Sequence, residues 1–272
     1  MGGLAGERAR AWQGVHMSLA AGHRLSPSAT GGHWQPSMQP AEQFTQLDDT
    51  FQRHHAAFGA DFADACARAG VDLTSLGLRL QSVARAAAAA AHPFDPASTG
   101  DAAAAAPFRT LIHGDTKAAN LFIRPRKSDD AATEVEVGLI DFQFAGFGLA
   151  ATDIAHLVCA ALDHAACGMV VERGIGEASS TIETALLDGY WISFTEASSR
   201  FGGSVGGSYT RETFQQQYES GVLDMCRVVF AHQWGRAKFG EANLNRNAYN
   251  KLMPSAVWLV VRCDAILKAR GV

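Results

Sequence analysis

The chain has 272 residues, with 23 Lys and Arg against 27 Asp and Glu, a formal net charge of −4. It is 47% hydrophobic and 18% charged, whereas an ordinary domain carries roughly 25% charged residues. This excludes a disordered chain and, with no basic excess, argues against a nucleic-acid binder. No run of about 18 apolar residues predicts a membrane span, and Met1 to Gly14 has no apolar stretch of the signal-peptide kind. The five cysteines are scattered without Cys-x-x-Cys spacing. They are expected to be buried free thiols of a reducing compartment, which points to the cytoplasm.

In chain order, residues 1–40 are rich in Gly, Ser, Pro and His and are expected to be poorly structured, with a short helix from Glu7 to Ala21 and loop from Leu25 to Pro40. From Ala41 to Ala69 the spacing of Phe44, Leu47, Phe51, Phe58 and Phe62 predicts a helix between Pro40 and Gly70. A second helix is expected from Thr74 to Ala91; its end, Ala86 to Ala91, has helical propensity but no core-forming side chain. His92 to Ala106 is Pro- and Ala-rich and is expected to be a surface connection. Strands are expected at Phe108–Ile112, Asn120–Ile123 and Glu134–Ile140, the last two joined as a hairpin through 124–133.

Beyond Thr152 the pattern is mainly helical. Thr152 or Asp153 caps a helix through Leu162, a second covers Ser180–Ser199, and Thr210 caps a third that carries Phe214, Tyr218, Leu223 and Phe230. Pro254 opens the last helix and Gly271 follows its end. Gly202–Gly207 is expected to be a flexible connection. Trp191, Phe194, Tyr218 and Trp234 fall at helical spacing and are expected in the core. Glu219 and Asp224 are expected on a solvated helix face.

One segment carries chemistry: Leu111-Ile-His-Gly-Asp-Thr-Lys-Ala-Ala-Asn-Leu-Phe-Ile123, followed by Leu139-Ile-Asp-Phe-Gln143. The order His113-x-Asp115, Asn120, then Asp141-Phe142 is that of a kinase catalytic loop and its metal-binding segment. Phosphoryl transfer needs an acceptor hydroxyl held in line and phosphate charge neutralised. Asp115 is placed to accept a hydrogen bond from that hydroxyl. Asn120 and Asp141 offer oxygens to magnesium, which keeps several of its waters. Lys117 can reach the transferred phosphate as a point charge.

With His-Gly-Asp at 113–115, Ile-Asp-Phe-Gln at 140–143 and Asp-Ile-Ala at 153–155, the chain resembles the small-molecule kinases of the protein-kinase-like superfamily. These include aminoglycoside phosphotransferases, choline and ethanolamine kinases and the ecdysteroid-kinase-like (CHK-like) group, which it resembles most. The resemblance is close over 107–163. It implies an α+β fold: a mainly helical C-terminal lobe over 41–271, a small β-hairpin carrying the catalytic loop 113–120 and metal segment 141–143, and a helical substrate half at 152–271. It implies Asp115 as catalytic base, Asn120 and Asp141 as ligands of Mg2+ and sites for ATP, His113 as a brace and Asp153 as a buried carboxylate holding the loop.

The 112 residues before His113 hold no Gly-x-Gly-x-x-Gly, no strand lysine and no run of alternating strands, so the ATP-clamping lobe is expected to be missing. No Gly-x-x-x-x-Gly-Lys-Ser/Thr replaces it. Two readings follow: an ATP- and magnesium-dependent phosphotransferase acting on a hydroxyl of a small molecule, or a non-catalytic truncated lobe acting as a binding module. A weaker third is a metal-dependent phosphohydrolase using His113, Asp115, Asn120 and Asp141, although His156 and His164 complete no recognisable ligand set. The oligomeric state and the acceptor's identity are not legible.

Overall fold

A computed structural model describes residues 30–125, 135–164, 167, 177–200, 209–236 and 249–272. In chain order the helices and strands are α1 Glu42–Thr45, α2 Leu47–His55, α3 Ala60–Arg68, α4 Leu73–Ala91, α5 Ala102–Ala105, β1 Arg109–Ile112, β2 Leu121–Pro125, β3 Val135–Leu139, β4 Gly146–Leu149, α6 Ala150–Ala160, α7 Glu177–Arg200, α8 Arg211–Val228 and α9 Met253–Ala269. This is the expected α+β, mainly helical architecture. Among the described residues every helix or strand upstream of β1 is helical.

Helix α4 packs on α8 and on α2, and α8 also packs on α6. Asp72 caps α4 by accepting a hydrogen bond from the Thr74 N–H at 3.0 Å, and Leu76, Leu80 and Ala84 repeat every four residues along its buried face. The alanine end was expected to contribute nothing to the core, yet Ala87, Ala88, Ala89 and Ala91 are buried. Small side chains let helices approach closely. The same device appears where α8 crosses α6: a Cβ on Gly221 would come within 2.8 Å of the Ala155 Cβ.

The stretch 41–69 is three helices, not one. It breaks at Gln46 and again at Gly59, whose φ of 83° and ψ of −172° lie in a region open to glycine alone. The segment 92–106 is more than a surface connection: Asp95 is buried, accepts a hydrogen bond from the Ser37 N–H at 2.8 Å, and α5 lies within it. Of the stretch expected to be poorly structured, 1–29 and with it the Glu7–Ala21 helix lie outside the described residues. From Thr30 on, the chain is packed, with Trp34 buried.

The described strands form two two-stranded sheets. β2 and β3 make the expected antiparallel hairpin, Leu121 opposite Leu139 and Pro125 opposite Val135; residues 126–133 of its connection lie outside the described residues. The other sheet was not foreseen: β1 pairs antiparallel with β4, Ile112 opposite Gly146 and Arg109 opposite Leu149. Its sequence, Gly-Phe-Gly-Leu, hides it. A Cβ on Gly146 would come within 2.6 Å of the Gly31 nitrogen, and one on Gly148 would collide with the Ile112 side chain. Close approach on both sides therefore selects glycine where a strand would ordinarily carry branched residues.

Helices α6 to α9 follow the expected order. Thr210 caps α8 through its hydroxyl, which accepts from the Thr213 N–H at 3.1 Å, and Pro254 stands at the first turn of α9. Tyr218 and Trp234 are core residues, and Trp191 and Phe194 pack half-buried against them. Cys66, Cys159, Cys226 and Cys263 are buried free thiols and Cys167 is half-buried; burial pushes the Cys66 thiol up to about 12. Residues 202–207 lie outside the described residues. No helix among the described residues is long and apolar enough to cross a membrane.

His164 ties the chain after α6 to α9: its Nδ1 lies 3.0 Å from the Ser255 hydroxyl and its ring stacks on Trp258 at 4.2 Å. Burial depresses its pKa from 6.5 to about 4. Between those values the unfolded chain binds the extra proton, so this stability is present above pH 6.5 and is lost as the pH falls toward 4. The loss amounts to roughly 3 kcal/mol at most. Urea midpoints at about pH 7 and about pH 4.5 are expected to differ more in the native sequence than in His164→Gln.

Candidate active site

Strand β1 ends at Ile112 and delivers His113, Gly114 and Asp115 into a loop with almost no solvent contact. Three consecutive buried residues outside regular structure leave backbone N–H groups that must find partners. Asp153, in the first turn of α6, supplies them. Its Oδ2 accepts from the His113 N–H at 2.7 Å and its Oδ1 from the Gly114 N–H at 2.9 Å. The Thr116 hydroxyl donates to the Asp153 carbonyl at 2.8 Å. The carboxylate also sits where the positive end of the helix dipole favours it.

His113 joins this loop to the metal segment. Its Nδ1 accepts from the Asp115 N–H at 3.3 Å, which leaves the ring proton on Nε2, and Nε2 donates to the Ile140 carbonyl at 2.8 Å. The ring lies 4.9 Å from that of Phe142. One neutral imidazole thus fixes the spacing between the loop and the residue preceding Asp141. Gly114 takes φ 82°, and a Cβ there would collide with the Phe144 carbonyl and the Gly32 nitrogen. The middle residue of His-Gly-Asp is set by that crowding.

The two oxygens of Asp115 are in different situations. Oδ2 accepts from Lys117 Nζ at 2.6 Å and from Asn120 Nδ2 at 3.2 Å. Oδ1 is buried and accepts no hydrogen bond. Asn120 Nδ2 also donates to the Asp115 carbonyl at 2.8 Å, and the Asn120 carbonyl accepts from the Ile140 N–H at 3.2 Å. The start of β2 and the residues after β3 are thereby joined, which brings Asp141 beside Asn120. Asp141 itself is exposed and takes φ 65°, ψ 59°, a left-handed conformation that Asp tolerates better than most residues. All six residues singled out in the sequence, His113, Asp115, Lys117, Asn120, Asp141 and Asp153, converge on this loop and hairpin end. Lys117 contacts the carboxylate of Asp115.

Three further residues, His33, Trp34 and His156, reach the site without belonging to any motif. Residues 31–34 run across the loop: the Gly32 N–H donates to the Phe144 carbonyl at 3.0 Å and the His33 N–H to the Gly114 carbonyl at 2.9 Å. His33 packs on Phe144 at 4.2 Å between ring centroids, and burial lowers its pKa against the pull of Asp115. Trp34 is pinned from beneath by Arg227, which donates from Nη2 to the Trp34 carbonyl at 3.1 Å, from Nη1 to Gln43 at 2.6 Å and from Nε to Asp224 at 2.8 Å. Asp224 is therefore buried, not on a solvated face. Burial opposes its charge, but Arg227 and the His92 hydrogen bond outweigh it and lower its pKa. Glu219 is half-buried and pairs with Arg262 at 3.2 Å. The third residue is His156, one turn beyond Asp153, with Nε2 at 3.9 Å from Asp115 Oδ1.

The donor set suits a hard cation. Asn120 spends its amide nitrogen on Asp115 and its Oδ1 accepts no hydrogen bond among the described residues; the Asp141 carboxylate has no ion pair among them. One amide oxygen and one carboxylate match magnesium with retained waters. No three His, Cys, Asp or Glu side chains among the described residues converge as a transition-metal site would need.

A model of the phosphotransferase enzyme family matches residues 3–186, more than half of the chain. No curated protein and no solved structure matches.

Replacing Asp153 by Asn exchanges a charged double acceptor for one that can satisfy only one of the two buried N–H groups. Asp153→Asn is expected to lose roughly 2–4 kcal/mol of stability, read as a lowered urea midpoint. An unchanged midpoint would show that the carboxylate does not hold the loop.

Proposed function

The chain belongs to the phosphotransferase enzyme family, and on that footing we propose that it transfers the γ-phosphoryl group of magnesium-ATP to a hydroxyl of a small molecule. The observation that carries this reading is the asymmetry of Asp115: Oδ2 is held by Asn120 and Lys117, while Oδ1 accepts no hydrogen bond. A carboxylate fixed in this way can accept the hydrogen of an incoming hydroxyl once the Lys117 ammonium moves off Oδ2. The hydroxyl oxygen forms its bond to the γ-phosphorus, the bond to the β–γ bridging oxygen breaks, and the proton passes to Asp115.

Asn120 Oδ1 and the Asp141 carboxylate would hold magnesium, which neutralises charge on the phosphate oxygens when bound. Lys117 covers Asp115, so an acceptor reaches the carboxylate only when the ammonium leaves. Its flexible stem allows it to move to an incoming phosphate as a point charge. Beside the metal residues, Phe122, Ile123 and Ile140 are about half exposed, an apolar surface of the kind a nucleotide base covers. His33, Trp34 and Tyr249 surround the other side of the loop: Trp34 and Tyr249 meet edge to face at 5.7 Å, and burial together with the nearby Asp115 charge pushes the Tyr249 phenol up.

The alternative, a binding module without catalysis, needs no carboxylate held in a fixed plane at Asp115. Two measurements separate the readings. Magnesium-ATP at millimolar concentration is expected to raise the melting temperature of the native chain, and Asp141→Asn to abolish the response. Asp115→Asn is expected to keep the binding response and lose turnover by about 10² to 10⁴-fold. No thermal response in the native chain would overturn the nucleotide site; full turnover in Asp115→Asn would remove Asp115 from the chemistry.

A further inference from the structure

Two polar atoms beneath the loop face each other without partners. Asp115 Oδ1 and His156 Nε2 are both buried, neither makes a hydrogen bond, and they lie 3.9 Å apart. An unmade hydrogen bond is costly for a buried polar group, and at this separation each of the two can relieve the other. His156 lies three residues after Asp153 on α6, and that spacing puts both side chains on one face of the helix. The same helical turn that strings up the backbone of 113 and 114 therefore presents an imidazole to the side chain of 115.

We propose that His156 is a positioning residue for Asp115: its Nε2–H donates to Oδ1, fixing the carboxylate plane so that Oδ2, once Lys117 leaves it, faces the acceptor hydroxyl. The opposite tautomer would set a nitrogen lone pair against a carboxylate oxygen and repel it. Hydrogen bonds in catalytic sites are often long before the substrate binds and tighten in the complex, and a shift of about 1 Å closes this one. The contact gains importance when Lys117 leaves Oδ2, because His156, Asn120 and the Tyr249 hydroxyl are then the groups that hold the carboxylate. Burial keeps the ring neutral, with its pKa lowered to about 4. A neutral donor orients Asp115 without adding a positive charge that would weaken it as a base. The Tyr249 ring, 5.8 Å from that of His156, and Asp153 complete the surroundings of the imidazole.

The functional part of this inference rests on the phosphotransfer reading, so its test has a readout independent of turnover. In the full-length chain with ¹⁵N-labelled histidines, the His156 signals are identified by their loss in His156→Gln. The expected result is the Nε2–H tautomer with a slowly exchanging ring proton, and Asp115→Ala is expected to shift that proton and speed its exchange. The Nδ1–H tautomer, or an Nε2 signal indifferent to Asp115→Ala, would overturn the proposal.

In turnover of magnesium-ATP with water as acceptor, His156→Phe is expected to lower kcat at least tenfold with KM for ATP unchanged. His156→Gln, whose amide nitrogen can donate, is expected to recover most of that loss. A purely packing role predicts the reverse order, because Phe fills the site better than Gln, and that order would also overturn the proposal. Absence of all turnover in the native chain with the imidazole signature intact would contradict the phosphotransfer reading and leave the contact standing.

Discussion

A single buried carboxylate holds the loop at 113–116 in place. Asp153 accepts both backbone N–H groups of His113 and Gly114, and these groups have no strand or helix to satisfy them. Because the carboxylate belongs to α6, and α6 packs on α8, the loop is referenced to the helical core and not to its own flexible neighbours. Every other feature of the site inherits its position from that link. His113 carries it to Ile140 and so to Asp141; Asn120 carries it from Asp115 to the hairpin.

A second buried network does the same for the segment that crosses the loop. Arg227 and Asp224 on α8, with Gln43 and His92, fix the backbone at Trp34. The chain at 31–33 then lies against Gly114, Phe144 and Phe147. The two networks meet from opposite sides of the loop, which explains why glycine occupies positions 31, 114 and 146: two backbones close in where a Cβ would stand. Holding the loop's backbone from both sides reduces the reorganisation needed to stabilise charge there.

The parts that read directly from the sequence are those whose chemistry restricts residue type and spacing together. His113, Asp115, Asn120 and Asp141 stand in the order on which the phosphotransfer reading rests, and the hairpin around them alternates as a strand pair should. The helices after Thr152 announced themselves through caps such as Thr210 and Pro254. What stayed hidden depends on contacts distant in the chain. Strand β4 is glycine-rich because of its neighbours, and local propensity reads that as loop. Gly59 breaks an otherwise continuous helical pattern through its backbone conformation. Asp224 sits at a position that helical periodicity assigns to solvent, and only the arrival of Arg227 and His92 makes its burial tolerable. His156 carries no local signal at all, since its meaning comes from a carboxylate 41 residues earlier in the chain.

The proposed function comes to one statement: Asp115, held by α6 and the hairpin, would activate a hydroxyl toward a phosphoryl group bound beside Asn120 and Asp141. The most direct measurement is transfer of radiolabel from γ-labelled ATP to a panel of small-molecule alcohols, including choline-like, sterol-like and aminoglycoside compounds. Magnesium-dependent label on at least one alcohol, absent with Asp115→Asn, is the result this account predicts. Label that appears without magnesium, or equally with Asp115→Asn, would contradict it.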